Sequence, residues 1–448
     1  MTESLDQWLG REYGQAATAM LRSVSAVELE KERPGFGQRV RPVAGSIVAS
    51  PVLASWDPDP DYFFHWFRDS AIVIDAVRLL YEAGHLGPEA LTHFADFVHF
   101  SLSLQALDGR ALFESPHWRL KVSPEFMQYL RGDDLLLVSG DAVYADARVN
   151  PDGTLDISRW TRPQHDGPPL RALAVGRWLR TLGARATQSL GEKTLADAAR
   201  LLRTDLALTA VHWREPSLDI WEEELGHHYY TRRVAAAALR EGADWLRSLG
   251  EAAEAAALHA EARAIRETLD GYWLPGEAHY RSRVMPGGAA STKMLDIAVI
   301  LAAVHAGADD DAHSVRDARM HATLAALERL FDRLYPINRQ RPRTRATAMG
   351  RYEGDVYFSG GAYYFSTLAA AEFCFMAAGA HARGSERDVW IARGDAFCET
   401  VRAFTPPSGD LSEQFDQRTG EQTSAKHLAW SYAAFISCVT ARRAVLPP

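Results

Sequence analysis

Cysteine is scarce in this chain of 448 residues: only Cys374, Cys398 and Cys438 occur. The count is odd, and all three sit in apolar, helix-like text without metal-ligand spacing. That excludes a disulfide framework, points to buried thiols and mildly favours a reducing, cytoplasmic setting. Long hydrophobic runs are missing too; the longest, such as residues 297–304, fall far short of a bilayer span. Residues 1–20 carry Glu3, Asp6, Arg11 and Glu12 and lack both a cationic start and an apolar core, so no secretory signal is read there, although one trimmed away would leave no trace. No basic stripe exists, and the net charge is −9, which argues against nucleic acid and anionic membranes as partners. Strand signals are few: 134–145 and 278–284 are expected to form short hairpins. No repeat of solenoid period and no low-complexity linker interrupts the text.

What the chain does have is recurrent helical periodicity. Helices are expected near 4–24, 70–84, 87–105, 169–183, 192–211, 231–248, 251–270, 292–306, 316–335, 361–380, 386–404 and 424–442, about twelve in all. In 251–270, alanines at 252, 255, 256, 260 and 264 alternate with charged residues, a pattern that favours helix and permits close helix approach. In 70–84 an apolar face runs from Ile72 to Leu80, with Asp69 or Ser70 available as cap and Gly84 as stop. Connections alternate between short ones and long ones at 25–69, 106–168, 271–291, 336–360 and 405–423. The long ones hold too many aromatic residues for disorder. Antiparallel helix pairs whose long loops gather on one face fit this alternation. A closed ring of six pairs is one solution and an open solenoid the other, the latter disfavoured by the missing repeat. Hydrophobic content of 47% supports a sizeable core, and 1–448 reads as a single domain.

The chain contains 12 Trp, 15 Tyr and 18 Phe, many of them in the loops. Flat rings stack on the C–H faces of sugars, but they also simply pack loops down. Two acidic segments stand out: Asp219-Ile220-Trp221-Glu222-Glu223-Glu224 and Ser412-Glu413-Gln414-Phe415-Asp416. Each sets a carboxylate among aromatic and amide side chains. Cleaving a glycosidic bond needs two carboxyls, one holding a proton and one ionised. Each residue has an ordinary alternative: Asp69 as a helix cap, 222–224 as an acidic first turn, Glu413 as a loop charge, Arg68 as a surface ion-pair partner. Adjacent His227 and His228 rarely share one ion, and no partner set is apparent, so no metal and no cofactor is expected.

Five segments in order resemble glycoside hydrolase family 15, the glucoamylase family. They are residues 61–70, 160–172, 219–223, 351–355 with 367–372, and 412–416 with 420–422 and 430–433. The resemblance covers roughly 45–440. It implies an all-α (α/α)6 barrel with the long aromatic loops on one face. It implies Glu222 as general acid and Glu413 as general base on water, an inverting layout that needs about 6.5–9.5 Å between the carboxyls. It further implies that Tyr62 hydrogen-bonds the base, with Gln414 and Ser424 candidates for positioning base or water. Arg68, Asp69 and Arg351 would hold sugar hydroxyls, the first two closing a dead-end pocket that makes the enzyme exo-acting. Trp66, Trp160 and Trp221 would line that pocket, with Glu223 and Tyr352 at or next to the cleavage point. Tyr363 stands where starch-degrading members usually carry tryptophan, and Glu224 to His228 depart from their small neutral residues. No starch-binding module follows the catalytic text, which favours soluble α-glucan oligosaccharides. The expected activity is release of β-D-glucose from non-reducing ends of α-1,4-linked oligosaccharides, by a monomer or weak homo-oligomer. An α-1,6 preference, trehalose cleavage, or a non-catalytic sugar-binding role on the same fold are the alternatives.

Overall fold

The computed structural model describes residues 3–55, 58–307 and 312–447. Among them are twelve helices of eight residues or more: α1 (Leu5–Leu21), α2 (Phe67–Glu82), α3 (Glu89–Ser103), α4 (Gly167–Leu182), α5 (Ala186–His212), α6 (Tyr229–Ser248), α7 (Ala252–Leu269), α8 (Ala298–His305), α9 (Ala318–Leu334), α10 (Tyr364–Ala380), α11 (Ser385–Phe404) and α12 (Ala429–Val445). The even-numbered helices form a closed ring. Each packs against the next, from α2 through α4, α6, α8 and α10 to α12, and α12 returns to α2. The odd-numbered helices cover this ring from outside. The fold is an (α/α)6 barrel.

Burial explains which helix goes where. From Tyr364 to Ala378, α10 is buried on every side except at Glu372 and Met376, as an inner helix must be. On α7 only Ala255, Ala262, Ile265 and Leu269 are buried, a single stripe that faces α6. Short links join inner to outer helices, and long loops lead from outer helices back to inner ones. All six inner N-termini therefore open on the face that carries the long loops. Their partial positive charges converge there.

Several expectations shift. The 134–145 segment is not a hairpin: it forms 3-10 turns at Asp133–Leu137 and Gly140–Ala145. Its apolar residues Leu135, Val138, Val143 and Tyr144 are pulled into a second core with Phe67 and Phe100. The 278–284 segment does contain short strands, but they pair elsewhere, with Trp273–Leu274 and with the 225–228 strand. Helix α2 starts at Phe67, so Asp69 and Ser70 lie inside its first turn and neither is its N-cap residue; the N-cap Trp66 has no side-chain cap bond. All three cysteines are buried and free, with Cys398 and Cys438 sulfurs 4.0 Å apart. No described helix is long and apolar enough to cross a membrane.

Candidate active site

Miniature sheets on the loop face set the positions of the acidic motifs. Ser217–Leu218 pairs antiparallel with Leu225–His228, in the register Leu218 to Leu225. The connection is the 219–224 loop. It wraps around the Asp219 carboxylate, which accepts the backbone N–H groups of Trp221 (2.9 Å), Glu223 (3.1 Å) and Glu224 (3.2 Å) and the Arg283 guanidinium (2.9 Å). That wrapping holds Glu222 at φ 67°, a left-handed conformation a non-glycine residue adopts only when its surroundings enforce it. A second sheet pairs Gln414 with Thr423, so Glu413 falls opposite Ser424.

Glu222 and Glu413 line one cavity of about 220 Å3. That volume is below the roughly 300–1,000 Å3 of clefts that enclose drug-sized ligands and suits a single sugar ring. The Glu222 side chain is 10% exposed. Its Oε1 accepts from Trp66 Nε1 (2.8 Å) and Arg68 Nη2 (3.3 Å), and its Oε2 accepts from Trp160 Nε1. Behind the two indoles lies buried Arg148, its guanidinium carbon 3.7 Å from the Trp160 ring and 4.7 Å from the Trp66 ring, tied to Asp156 at 2.9 Å. Glu413 accepts from Ser424 Oγ and, at 3.3 Å to each oxygen, from Tyr62. Tyr62 in turn shares a 2.8 Å hydrogen bond with Tyr357. Burial pushes the Glu413 carboxyl up to about 7, against the opposing pull of Ser424 and Arg351.

Arg68 is buried and reaches Gln164 (3.1 Å) and Asp166 (3.3 Å) with Nη1. Its Nε and Asp69 Oδ2 stand 3.3 Å apart, and neither has a hydrogen-bond partner. Burial raises Asp69 to about 6, with Arg68 opposing. A buried donor and a buried acceptor left open side by side in a cavity suit a ligand hydroxyl, which gives and takes a hydrogen bond at once.

Trp221 lines the same cavity, its Nε1 held by Asp296 Oδ2 at 2.9 Å. Glu223 and Arg351 line it as well and meet each other at 3.1 Å; Glu223 also binds Lys293 (2.6 Å) and Tyr352. Four residues given roles from the sequence do not line the cavity: Tyr352, Gln414, Tyr363 and Ser424, the last of which touches it only through Glu413. Tyr352 donates a hydrogen bond to Glu223. Gln414 is fully buried behind Glu413, its Nε2 donating to Tyr363 Oη at 2.8 Å, and Tyr363 is buried beside Trp221. Glu224, His227 and His228 stay out of it too. Glu224 is held by Arg283 and Ser291, each at 2.8 Å, and buried His228 contacts the Ser217 and Glu224 carbonyls at 3.0 Å. Sequence reasoning assigned no role to Tyr357, Phe365, Trp430, Gln164 or Asp166. The last three lie inside the quoted motifs, which was the available signal.

A larger cavity, about 570 Å3, runs among the inner helices from Ala71 to Glu82 and Phe365 to Met376, toward their C-termini. Its charges are mostly consumed by one another, as in Asp75 with Arg78 and Arg177, and Arg180 with Glu241. Its one carboxyl without a cation, Glu372, is raised to about 7 by burial and bonded to Ser437.

The model for glycosyl hydrolases family 15 matches residues 20–99 and 148–440. A probable glucoamylase of Schizosaccharomyces pombe is 27% identical, covering 99% of this chain and 93% of its own length. Glucoamylase-1 of Arthroderma benhamiae is 30% identical over 90% of the chain, and the aligned part is 65% of that longer protein. The solved glucoamylase of Hormoconis resinae superposes with a TM-score of 0.77 at 25% identity, over 99% of this chain and 76% of its own. The barrel with its paired carboxylates on the loop face is thus that of a glycoside hydrolase, and the chain belongs to family 15 of those enzymes.

Proposed function

We propose that the enzyme is an exo-acting, anomer-inverting α-glucosidase that frees β-D-glucose from the non-reducing ends of α-1,4-linked oligosaccharides. The observation that carries this reading is that Glu222 and Glu413 share one narrow cavity with the open Arg68–Asp69 pair. In this account Arg68 Nε and Asp69 Oδ2 take hydroxyls of the terminal glucose, so no residue can extend beyond it. Glu222 gives its proton to the glycosidic oxygen as the C1–O bond breaks. Glu413 takes a proton from a water that attacks C1 from the opposite face. The water oxygen becomes the C1 hydroxyl, so the α-linked sugar leaves as the β anomer. Relatives named glucoamylases support the substrate class.

Hydrolysis of maltopentaose under initial-rate conditions tests the exo assignment. Glucose and maltotetraose are the expected first products; maltose or maltotriose would contradict it. Faster turnover of isomaltose than of maltose would replace the α-1,4 assignment with α-1,6.

A further inference from the structure

Outside the active-site cavity, three potential metal ligands converge near the end of α5. His165 comes from the loop that follows Trp160. His212 is the last residue of α5, and Glu215 follows three positions later. Glu215 Oε2 lies 3.0 Å from His212 Nδ1 and 3.6 Å from His165 Nε2, and the three donor atoms all fall within 4.8 Å of one another. The two imidazoles are parallel, with centroids 5.2 Å apart and planes 6° apart. The His165 side chain is only 9% exposed. Neither its Nε2 nor His212 Nδ1 makes a hydrogen bond, although both atoms are buried. Buried polar atoms are almost always satisfied. Two imidazole nitrogens and a carboxylate oxygen gathered this closely can be satisfied together by one cation.

An ordinary histidine–glutamate ion pair is the competing explanation. It joins Glu215 to His212 at 3.0 Å but leaves the buried Nε2 of His165 without a hydrogen-bond partner. It also leaves the placement of the second imidazole unexplained.

We infer that His165, His212 and Glu215 form a binding site for one divalent transition-metal ion of the zinc type. Two nitrogens and one oxygen match zinc, cobalt, nickel or copper; calcium and magnesium demand oxygen sets. With metal–nitrogen bonds of about 2.0–2.1 Å, tetrahedral ligand atoms sit about 3.3 Å apart; Glu215 Oε2 is 3.0 and 3.6 Å from the two nitrogens, and the nitrogens, within 4.8 Å of each other, close in on binding. Three protein ligands leave one position free. The adjoining cavity of about 240 Å3, which Thr231 and Arg232 also line, has room for a water there.

The site joins two segments that serve the active centre. His165 lies between Gln164 and Asp166, which hold Arg68. Glu215 lies two residues before the strand that leads into the Glu222 loop. The segments already meet through His165 N to Ser217 Oγ (3.0 Å) and Leu218 N to the Pro163 carbonyl (2.9 Å). A bound ion adds a third cross-link, so it stiffens the mount of Arg68 and Glu222 without touching substrate. The inference rests on the ligand geometry and stands independently of the proposed substrate and stereochemistry.

Titrating the full chain, stripped of metal by a chelator, with Co2+ tests it. The expected result is uptake of one equivalent with the strong visible absorption of four-coordinate cobalt, displacement by Zn2+, and a higher melting temperature with either ion. Glu215 is exposed, so Glu215→Gln folds normally. Both it and His212→Gln should weaken uptake at least tenfold, about 1.4 kcal/mol. No stoichiometric uptake by the unaltered protein overturns the inference, as does uptake that both variants retain in full.

Discussion

Replacing Ser424 with alanine isolates the electrostatics of the water-activating carboxylate. Ser424 Oγ donates to Glu413 Oε2, and Tyr62 adds two longer contacts at 3.3 Å. Burial raises the Glu413 carboxyl to about 7, and the Ser424 hydrogen bond is the largest influence opposing that rise. The hydroxyl favours the charged form, so its removal drives the pKa further up. A hydrogen bond to a charged group contributes about 1.5–3 kcal/mol, and one pH unit corresponds to about 1.4 kcal/mol. The shift is therefore about 1–2 pH units. Glu413 is half-buried at the wall of the cavity, and solvent screening at such a site brings the figure toward about 1. A general base works ionised, so kcat/KM falls as pH drops through its pKa, and kcat/KM reports the free enzyme described here. Profiles for maltose between about pH 4 and 9 should show the acidic limb centred near 7 in the parent and near 8 in Ser424→Ala. Tyr62→Phe should move it the same way by less. A limb that stays put, or moves to lower pH, would refute the assignment of Glu413 as the titrating base or of Ser424 as its donor.

Glu222→Gln and Glu413→Gln should each lower kcat by about 10²–10⁴-fold with little change in melting temperature, because each removes a proton-transfer group while keeping its shape; retention of near-parent turnover by either variant contradicts the roles given them. Asp219→Ala should destabilise the protein by about 3 kcal/mol or more, since it strips the acceptor from three backbone N–H groups and from Arg283. Turnover should fall with it, as the loop that holds Glu222 at positive φ loses its anchor, and an unchanged denaturation midpoint would show that the loop holds without the carboxylate.

Much of the barrel was legible because inner and outer helices differ in a way that periodicity reports. All twelve expected helices exist, yet their starts move. Residues 292–297 are not helical: Met294 O accepts from Ser282 N, and Asp296 bridges to Tyr352 before its Oδ1 caps Ala298 N at 2.8 Å. The last helix begins at Ala429, not near 424, because Ser424 and His427 take positive φ in a turn that serves Glu413. In both places the loop is shaped by the site it supports, a tertiary cause that local pattern does not contain. The misread 134–145 segment is a short apolar run, which periodicity alone cannot assign. At the site, motif order brought out the two carboxylates and the Arg68–Asp69 pair. Ring closure decided the rest. It brings Tyr357 onto Tyr62 across 295 positions, seats Arg148 behind both indoles, and retires Gln414 and Tyr363 to supporting positions. The histidine cluster at 165 and 212 escaped notice because its members lie on segments that only the folded loop face unites.

The proposed reaction needs a proton donor at Glu222 and a water activator at Glu413 acting from opposite sides of one bound sugar. Proton NMR of the first glucose released from maltose, recorded before mutarotation, tests it most directly. The anomeric signal should be that of β-glucose and decay toward the equilibrium mixture; an initial α signal would contradict the single-displacement mechanism at this pair.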